Sequence, residues 1–179
     1  YDSFLAGIST VSGQLSLDRS TMGKNEFLSK YGHLRPGTYD ILSPRYDKAP
    51  DLYFDWDNAP TSTKPSTPFS VTLPQMREVT KLLESHKLEP NPVALFDFLE
   101  SGIELREYAK FQFTRNLSDI LELIADLGEN YGISREEMAY ADVNVFKELY
   151  VSSANPEKLL HRSIQHGKEC YQETQKISL

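Results

Sequence analysis

The sequence predicts an all-α fold, a multi-helix assembly around one long central helix, and three observations support this. No segment keeps the alternation of apolar and polar residues that a half-buried strand shows. Residues 93–131 contain no proline, and apolar residues recur there with the 3.6-residue period of a helix. Helix start and stop signals punctuate the rest of the chain. We therefore expect several shorter helices around residues 93–131.

For the N-terminal part of the chain, the sequence predicts two helices and a stiff loop. Apolar residues at helical spacing predict an amphipathic helix over residues 2–18, and a second helix follows over residues 25–31. Gly32 is placed to end that helix in the left-handed conformation. Residues 33–46 form a loop that Pro36 and Pro44 stiffen and in which Gly37 permits a tight turn. The apolar stripe of the first helix consists of Phe4, Leu5, Ile8, Val11 and Leu15.

A change in composition then predicts a flexible loop or linker over residues 57–73, which is rich in Pro, Ser and Thr. The stretch before it, residues 51–57, is acidic and aromatic. Its large rings, Tyr53, Phe54 and Trp56, either form a recognition surface or anchor the start of the linker by burying themselves. The sequence leaves both alternatives open.

For the second half of the chain, the sequence predicts helices whose ends carry capping signals. A helix covers residues 75–86, and Gly132 is placed to end the long helix. Ser134 with Glu137 matches a capping box. Asn155 followed by Pro156 is a cap with proline at the first helical position, so it opens the last helix.

Length and charge limit the function classes. The 179 residues suffice for a single helical domain over residues 1–179. A net charge of −7 argues against a nucleic-acid partner. No apolar run approaches about 18 residues, so no membrane partner is expected. A single cysteine fits a reducing, cytoplasmic location. Because the chain starts at Tyr1 rather than Met and ends at Leu179 without a terminating signal, we expect a segment of a longer protein.

The histidines and the cysteine predict no metal site. His161 and His166 are five residues apart rather than the four that place two ligands on one helical face. His86 stands alone, and Cys170 has no obvious partner base. We therefore expect no metal ligand and no nucleophile in this chain.

The stiff loop contains a cluster of charged residues that suits an anion. His33, Arg35 and Arg45 form a candidate cationic pocket for a carboxylate or phosphate, with Asp40 orienting an arginine. The alternative is that Arg35 and Asp40 pair to lock the loop. Loops rich in Pro and Gly are commonly held by their own polar side chains, which favours the lock.

The tract Phe27–Ile41, followed by Ser43-Pro-Arg-Tyr46, resembles a signature of the phosphoenolpyruvate-utilising phosphotransferases. This group includes phosphoenolpyruvate synthase, pyruvate phosphate dikinase and rifampicin phosphotransferase. The resemblance is to the central helical region that precedes the phosphohistidine domain, and it covers roughly the whole chain. The later tracts that match the family in order and approximate spacing are Arg106-Glu-Tyr-Ala-Lys110 with Arg115, Ile124 to Gly132, and Ser134 to Tyr140.

The resemblance implies a helical linker or acceptor-substrate-binding segment of a kinase-type transferase, whose other domains are the partners of this segment. ATP and Mg²⁺ are implied for the longer enzyme, whereas this segment needs no cofactor and supplies no catalytic residue, since it lacks a phosphate loop and a phosphoacceptor tract. The acceptor is pyruvate, an antibiotic hydroxyl or another small molecule. The ending Tyr39-Asp40-Ile41 is closer to the synthase branch. The substrate-binding candidates are His33, Arg35, Asp40, Arg45, Arg106 and Lys110.

Two alternatives accompany that interpretation. Arg106 and Lys110 lie on neighbouring turns of the long helix, where they either face a ligand cleft or belong to a solvated charged face. The whole chain is alternatively a non-catalytic helical protein-interaction module, in which the linker or the acidic surface contacts another protein. A stoichiometric site for a small acceptor near His33 favours the enzyme segment.

Overall fold

The computed structural model describes residues 11–58 and 70–177 and confirms the all-α prediction. That part of the chain forms eight helices and contains no β-strand. The helices are α1 (Val11–Thr21), α2 (Lys24–Tyr31), α3 (Pro50–Tyr53), α4 (Leu73–Ser85), α5 (Pro92–Asn130), α6 (Arg135–Met138), α7 (Asn144–Val151) and α8 (Pro156–Gln175). The long central helix α5 has 39 residues and agrees with the predicted span to within one residue at each end.

The predicted ends of three helices are confirmed. Gly132 follows α5 in the left-handed region, with φ of 69°, which a side chain would strain. The hydroxyl of Ser134 accepts a hydrogen bond from the backbone N–H of Glu137 at the start of α6. Asn155 caps α8 by accepting from the N–H of Lys158 at 3.1 Å. Gly132 and Asn155 therefore act as the sequence predicts, whereas Ser134 caps α6 with only the hydroxyl half of the predicted capping box.

The prediction for Gly32 is wrong. This residue follows α2 with φ of −58° and ψ of −28°, which is right-handed helical geometry. Its N–H donates to the carbonyl oxygen of Leu28 at 2.8 Å, so the last turn of the helix is satisfied without a left-handed residue. The glycine is therefore not needed there for its conformational freedom.

The backbone contacts divide the chain into two compact units. The first unit comprises the described parts of residues 1–32 and 50–114, and the second comprises residues 33–49 with the described part of 115–179. A single domain over residues 1–179 stays a prediction. Much of the predicted helix over residues 2–18 and most of the predicted loop over residues 57–73 lie outside the described residues.

The core of the first unit is aromatic. Phe27 is fully buried, and the ring centroids of Tyr31, Phe54 and Trp56 lie 5.0, 5.2 and 5.7 Å from its own. Trp56 also lies 5.3 Å from Phe54. Such edge-on and tilted contacts add to the free energy gained by burying the rings. The packing favours the anchoring role for Trp56.

A buried carboxylate joins α1 to α2 in the same unit. Asp18 is 4% exposed and accepts hydrogen bonds from Gln14, Lys30 and Tyr31 at 2.6, 2.6 and 2.8 Å. Burial alone would raise the pKa of Asp18, but these hydrogen bonds outweigh burial and hold the pKa below its usual value. The Asp18 side chain is therefore charged at neutral pH and links α1 to α2.

The core of the second unit is aliphatic. Two glycines let neighbouring segments pack closely in this core. A Cβ on Gly128 would lie 3.1 Å from the carbonyl oxygen of Ile133, and a Cβ on Gly167 would lie 1.9 Å from the carbonyl oxygen of Tyr140. The loop contributes one side chain to this core, Ile41. The buried cluster consists of Ile41, Ala125, Ile133, Met138, Val145, Leu159, Leu160 and Ile164.

Candidate functional site

The predicted site loop, residues 33–46, has a defined backbone and lies within the second unit, which takes residues 33–49 from this part of the chain. The N–H of Tyr46 donates to the carbonyl oxygen of Leu34 at 2.9 Å and closes the loop. Gly37 takes a φ of 59°, which lets the chain reverse. Ile41 is 6% exposed and belongs to the aliphatic core. The loop is therefore fixed at its ends and in its middle.

Arg35 lies at the centre of the loop, with its side chain 1% exposed. Its Nη1 donates to the carbonyl oxygens of Asp40 and Ser43 at 3.3 and 3.2 Å. Its Nη2 donates to the carbonyl and hydroxyl oxygens of Ser118 at 3.3 and 3.0 Å, and to Glu122 Oε1 at 2.7 Å. One guanidinium thus joins two loop carbonyls to one turn of α5.

Glu122 receives a second arginine. Arg135, the first residue of α6, donates from Nη2 to Glu122 Oε2 at 2.9 Å and from Nη1 to the carbonyl oxygen of Ile41 at 3.2 Å. Burial alone would raise the pKa of Glu122, but the hydrogen bonds from Arg135 and Arg35 outweigh burial and hold the pKa below its ordinary value. We call Arg35, Glu122 and Arg135 the loop clamp.

The lowered pKa of Glu122 predicts a pH-dependent contribution to stability. Because its pKa is lower in the folded than in the unfolded chain, the contribution is complete above the ordinary value of 4.5 and is lost as the pH falls through the folded pKa. We expect Glu122→Gln to be less stable than the wild type at pH 7, and the difference to shrink below about pH 4.5. Urea unfolding at a series of pH values measures this, and a difference that does not depend on pH would contradict it.

Asp40 does not form the side-chain pair with Arg35 that the lock hypothesis proposes. Its Oδ2 accepts from the hydroxyl of Ser43 at 2.6 Å, and its Oδ1 accepts from the N–H of Leu42 at 2.9 Å. These two bonds hold the pKa of Asp40 below its usual value. Arg35 contacts the backbone carbonyl of Asp40 instead. The loop is thus held by its own polar groups, but through other partners than the sequence suggests.

Arg45 is engaged by two carboxylates. It forms a bidentate ion pair with Asp47, in which Nε donates to Oδ1 at 3.0 Å and Nη2 donates to Oδ2 at 2.7 Å. Its Nη1 donates to Asp119 Oδ1 at 2.6 Å. Burial alone would lower the pKa of Arg45, but the hydrogen bonds to Asp47 and Asp119 outweigh burial and raise it. Arg45 therefore ties the end of the loop to α5.

The remaining candidates fall in different units. His33 is 8% exposed and lies in the loop. Arg106 and Lys110 lie in the part of α5 that belongs to the first unit, with side chains 68% and 67% exposed. Both contact Glu107, at 3.2 and 3.6 Å. This geometry favours the solvated charged face for Arg106 and Lys110.

The arrangement in the loop suits positioning better than direct anion binding. Three guanidinium groups, of Arg35, Arg45 and Arg135, are matched by three carboxylates, of Glu122, Asp47 and Asp119. Both terminal nitrogens of Arg35 are already in use, and its Nε is buried with no hydrogen-bond partner among the described residues. An anion would have to displace one of these carboxylates. The positive charge of the loop is therefore compensated internally.

Sequence reasoning missed the partners on the helix. Ser118 and Glu122 are four residues apart, so they lie on one face of α5. Glu122 could have been singled out because it lies between the apolar pairs Ile120-Leu121 and Leu123-Ile124. A charged residue in such a position usually needs a partner when it is partly buried. The sequence does not show which residue that partner is.

Comparison with known proteins identifies no relative: no family model, no curated protein and no solved structure matches the chain. Within residues 11–58 and 70–177, none of the helices has both the length and the hydrophobicity of a membrane span. No group of three or more His, Cys, Asp and Glu side chains there is placed to hold a metal ion.

Proposed function

We propose that this chain is the helical segment of a phosphoenolpyruvate synthase-like, dikinase-type phosphotransferase, where it joins an ATP-grasp-type domain to a phosphohistidine domain. The observation that supports this most is the loop clamp. The later part of the tract that resembles the family signature, residues 33–46, folds as a loop fixed by a buried arginine, as expected of an element that positions other parts of an enzyme. The order of the later matching tracts adds support.

Within this proposal the loop acts mainly by position. Arg35 and Arg45 orient the loop through Glu122 and Asp119 and do not offer free guanidinium groups to an acceptor. An acceptor such as pyruvate is then bound by groups of the loop and of neighbouring domains together. We infer pyruvate as the acceptor because the Tyr39-Asp40-Ile41 ending of the loop resembles the synthase branch.

The phosphoryl chemistry belongs to other domains of the proposed enzyme. ATP and Mg²⁺ supply the phosphoryl group and neutralise its developing charge, and that chemistry needs phosphate-binding loops and bridging metal ions. The nine glycines of this chain are scattered singly, which does not fit a phosphate-binding loop. We therefore assign this chain no ligand of the ATP-bound metal.

A second candidate function is a non-catalytic helical interaction module. The first unit exposes several large apolar side chains, among them Leu82 of α4 and Phe98, Leu105 and Tyr108 of α5, each more than half exposed. Exposed apolar side chains on neighbouring helical turns are typical of protein-interaction surfaces. In the dikinase proposal, other domains of the longer protein cover these side chains instead.

A phosphorylation experiment separates the two functions. The protein encoded by the complete reading frame is incubated with radiolabelled ATP and Mg²⁺, and the 179-residue chain serves as the control. We expect an acid-labile phosphohistidine in the long protein, discharge of the label on adding pyruvate, and no label on the 179-residue chain. A folded long protein that takes up no label would contradict the proposal and favour the interaction module.

A further inference from the structure

The Glu122 carboxylate is bound by two guanidinium groups in the way that a carboxylate ligand would be. Its Oε1 accepts from Arg35 Nη2 at 2.7 Å and from Arg135 Nη1 at 3.3 Å, and its Oε2 accepts from Arg135 Nη2 at 2.9 Å. Paired N–H···O bonds from one guanidinium to both oxygens of a carboxylate are the geometry by which arginine recognises carboxylates. The loop clamp is therefore built like a carboxylate-binding site that a side chain of the protein itself fills.

Both arginines of this site are also held by groups other than Glu122. Arg35 donates to two carbonyl oxygens of the loop and to both oxygens of Ser118. Arg135 donates to the carbonyl oxygen of Ile41 at 3.2 Å. The two guanidinium groups therefore keep bonds that position them when the Glu122 carboxylate leaves. Donors that are fixed in advance lose little entropy when a ligand binds.

Glu122 is held less firmly than the two arginines. The hydrogen bonds of its carboxylate to other described residues go only to Arg35 and Arg135. Its side chain is 18% exposed, whereas that of Arg35 is 1% exposed. If the carboxylate turns towards solvent, the buried guanidinium of Arg35 loses its ion-pair partner, which is costly. A small anion that enters from solvent removes that cost.

We propose that Arg35 and Arg135 form a binding site for a small monocarboxylate, in which Glu122 is an internal ligand that an external carboxylate displaces. The site holds one carboxylate at a time, so Glu122 and the external anion exclude each other. Glu122 thus keeps the site closed in the absence of that anion. The inference rests on the geometry of the loop clamp and is independent of the phosphotransferase proposal, although pyruvate is itself a monocarboxylate.

Acetate binding to a Glu122→Ala variant of the 179-residue chain tests the proposal. The substitution removes a CH₂ group and a carboxylate, which together have the heavy atoms of acetate, so the emptied place has the size of this probe. We expect sodium acetate to raise the urea midpoint of the variant in a saturable manner, relative to sodium chloride at equal concentration. The apparent Kd for acetate should be at least about tenfold lower than in the wild type, where Glu122 competes for the site.

Two further variants show whether the two arginines are responsible. Glu129→Ala makes the same change at an exposed position of α5 and should respond to acetate as the wild type does. Adding Arg135→Ala to Glu122→Ala should abolish the response, because the bidentate donor is then gone.

The experiment decides the proposal even if Glu122→Ala is unfolded in chloride. Acetate should then restore its helical circular dichroism, and that recovery becomes the measurement. The proposal would be overturned if acetate affects Glu122→Ala no more than chloride does. It would also be overturned if Glu129→Ala responds equally, or if the response survives the loss of Arg135.

Discussion

Replacing Arg35 by Ala is expected to lower the free energy of unfolding by about 3–5 kcal/mol, the usual cost of breaking a buried ion pair by removing one partner. The Arg35 side chain is 1% exposed and donates to Ser118 and Glu122 of α5 and to two loop carbonyls. Its removal takes a donor from each of those acceptors and leaves Glu122 with Arg135 as its remaining arginine partner. Urea unfolding at pH 7, followed by far-ultraviolet circular dichroism, measures the loss.

Arg162→Ala is the matched control for Arg35→Ala. Arg162 also belongs to the second unit and also bonds a glutamate, Glu148 at 2.9 Å, but the two side chains are 70% and 52% exposed. Exposed ion pairs contribute about 0–1 kcal/mol, so we expect a change within that range. If Arg35→Ala costs no more than Arg162→Ala, the loop clamp does not hold the loop.

Gly167→Ala is expected to destabilise the protein by about 3 kcal/mol, the upper part of the range for overpacked sites. The added Cβ would lie 1.9 Å from the carbonyl oxygen of Tyr140 and 2.9 Å from its carbonyl carbon. These are backbone atoms, so α8 or the Tyr140 turn must move. That movement would disturb the packing of Leu160 and Ile164 in the core. Thermal and urea unfolding both report the effect.

Gly102→Ala is the matched control for this prediction, because it makes the same change inside another helix, α5. A Cβ at Gly102 meets no atom within 4 Å. Ala is a better helix former than Gly, so we expect a gain of about 0.5–1 kcal/mol. Opposite signs for the two substitutions would show that close contact decides the result at Gly167, whereas a stabilised Gly167→Ala would contradict the contact with Tyr140.

Much of the fold could be predicted because its signals are local. The periodicity of α5 and the caps at Ser134 and Asn155 depend on residues within one or two turns, and the structure confirms them. Gly32 shows the limit of local signals, since a glycine permits a left-handed residue without requiring one. The short helix α3, Pro50–Tyr53, went unpredicted because four residues carry too little periodicity.

The candidate site was predictable only in part because its contacts are distant in sequence. The charged residues of the loop identify it as a site of polar contacts, but the favoured side-chain pair of Arg35 and Asp40 does not form. The Asp40 carboxylate accepts from Ser43, and Arg35 donates to the backbone carbonyl of Asp40. The partners of Arg35 on α5 are more than 80 residues away, however. The apolar neighbours of Glu122 single it out among the carboxylates of that helix, but no local rule pairs it with Arg35.

Determining the complete reading frame that encodes this chain tests the phosphotransferase proposal most directly. Sequencing the coding DNA on both sides should find an ATP-grasp-type domain before Tyr1 and a phosphoacceptor histidine tract after Leu179. That result would make the chain the middle of a phosphotransferase and direct the work to its acceptor. A stop codon immediately after Leu179 would contradict the account and leave a free-standing interaction module as the better explanation.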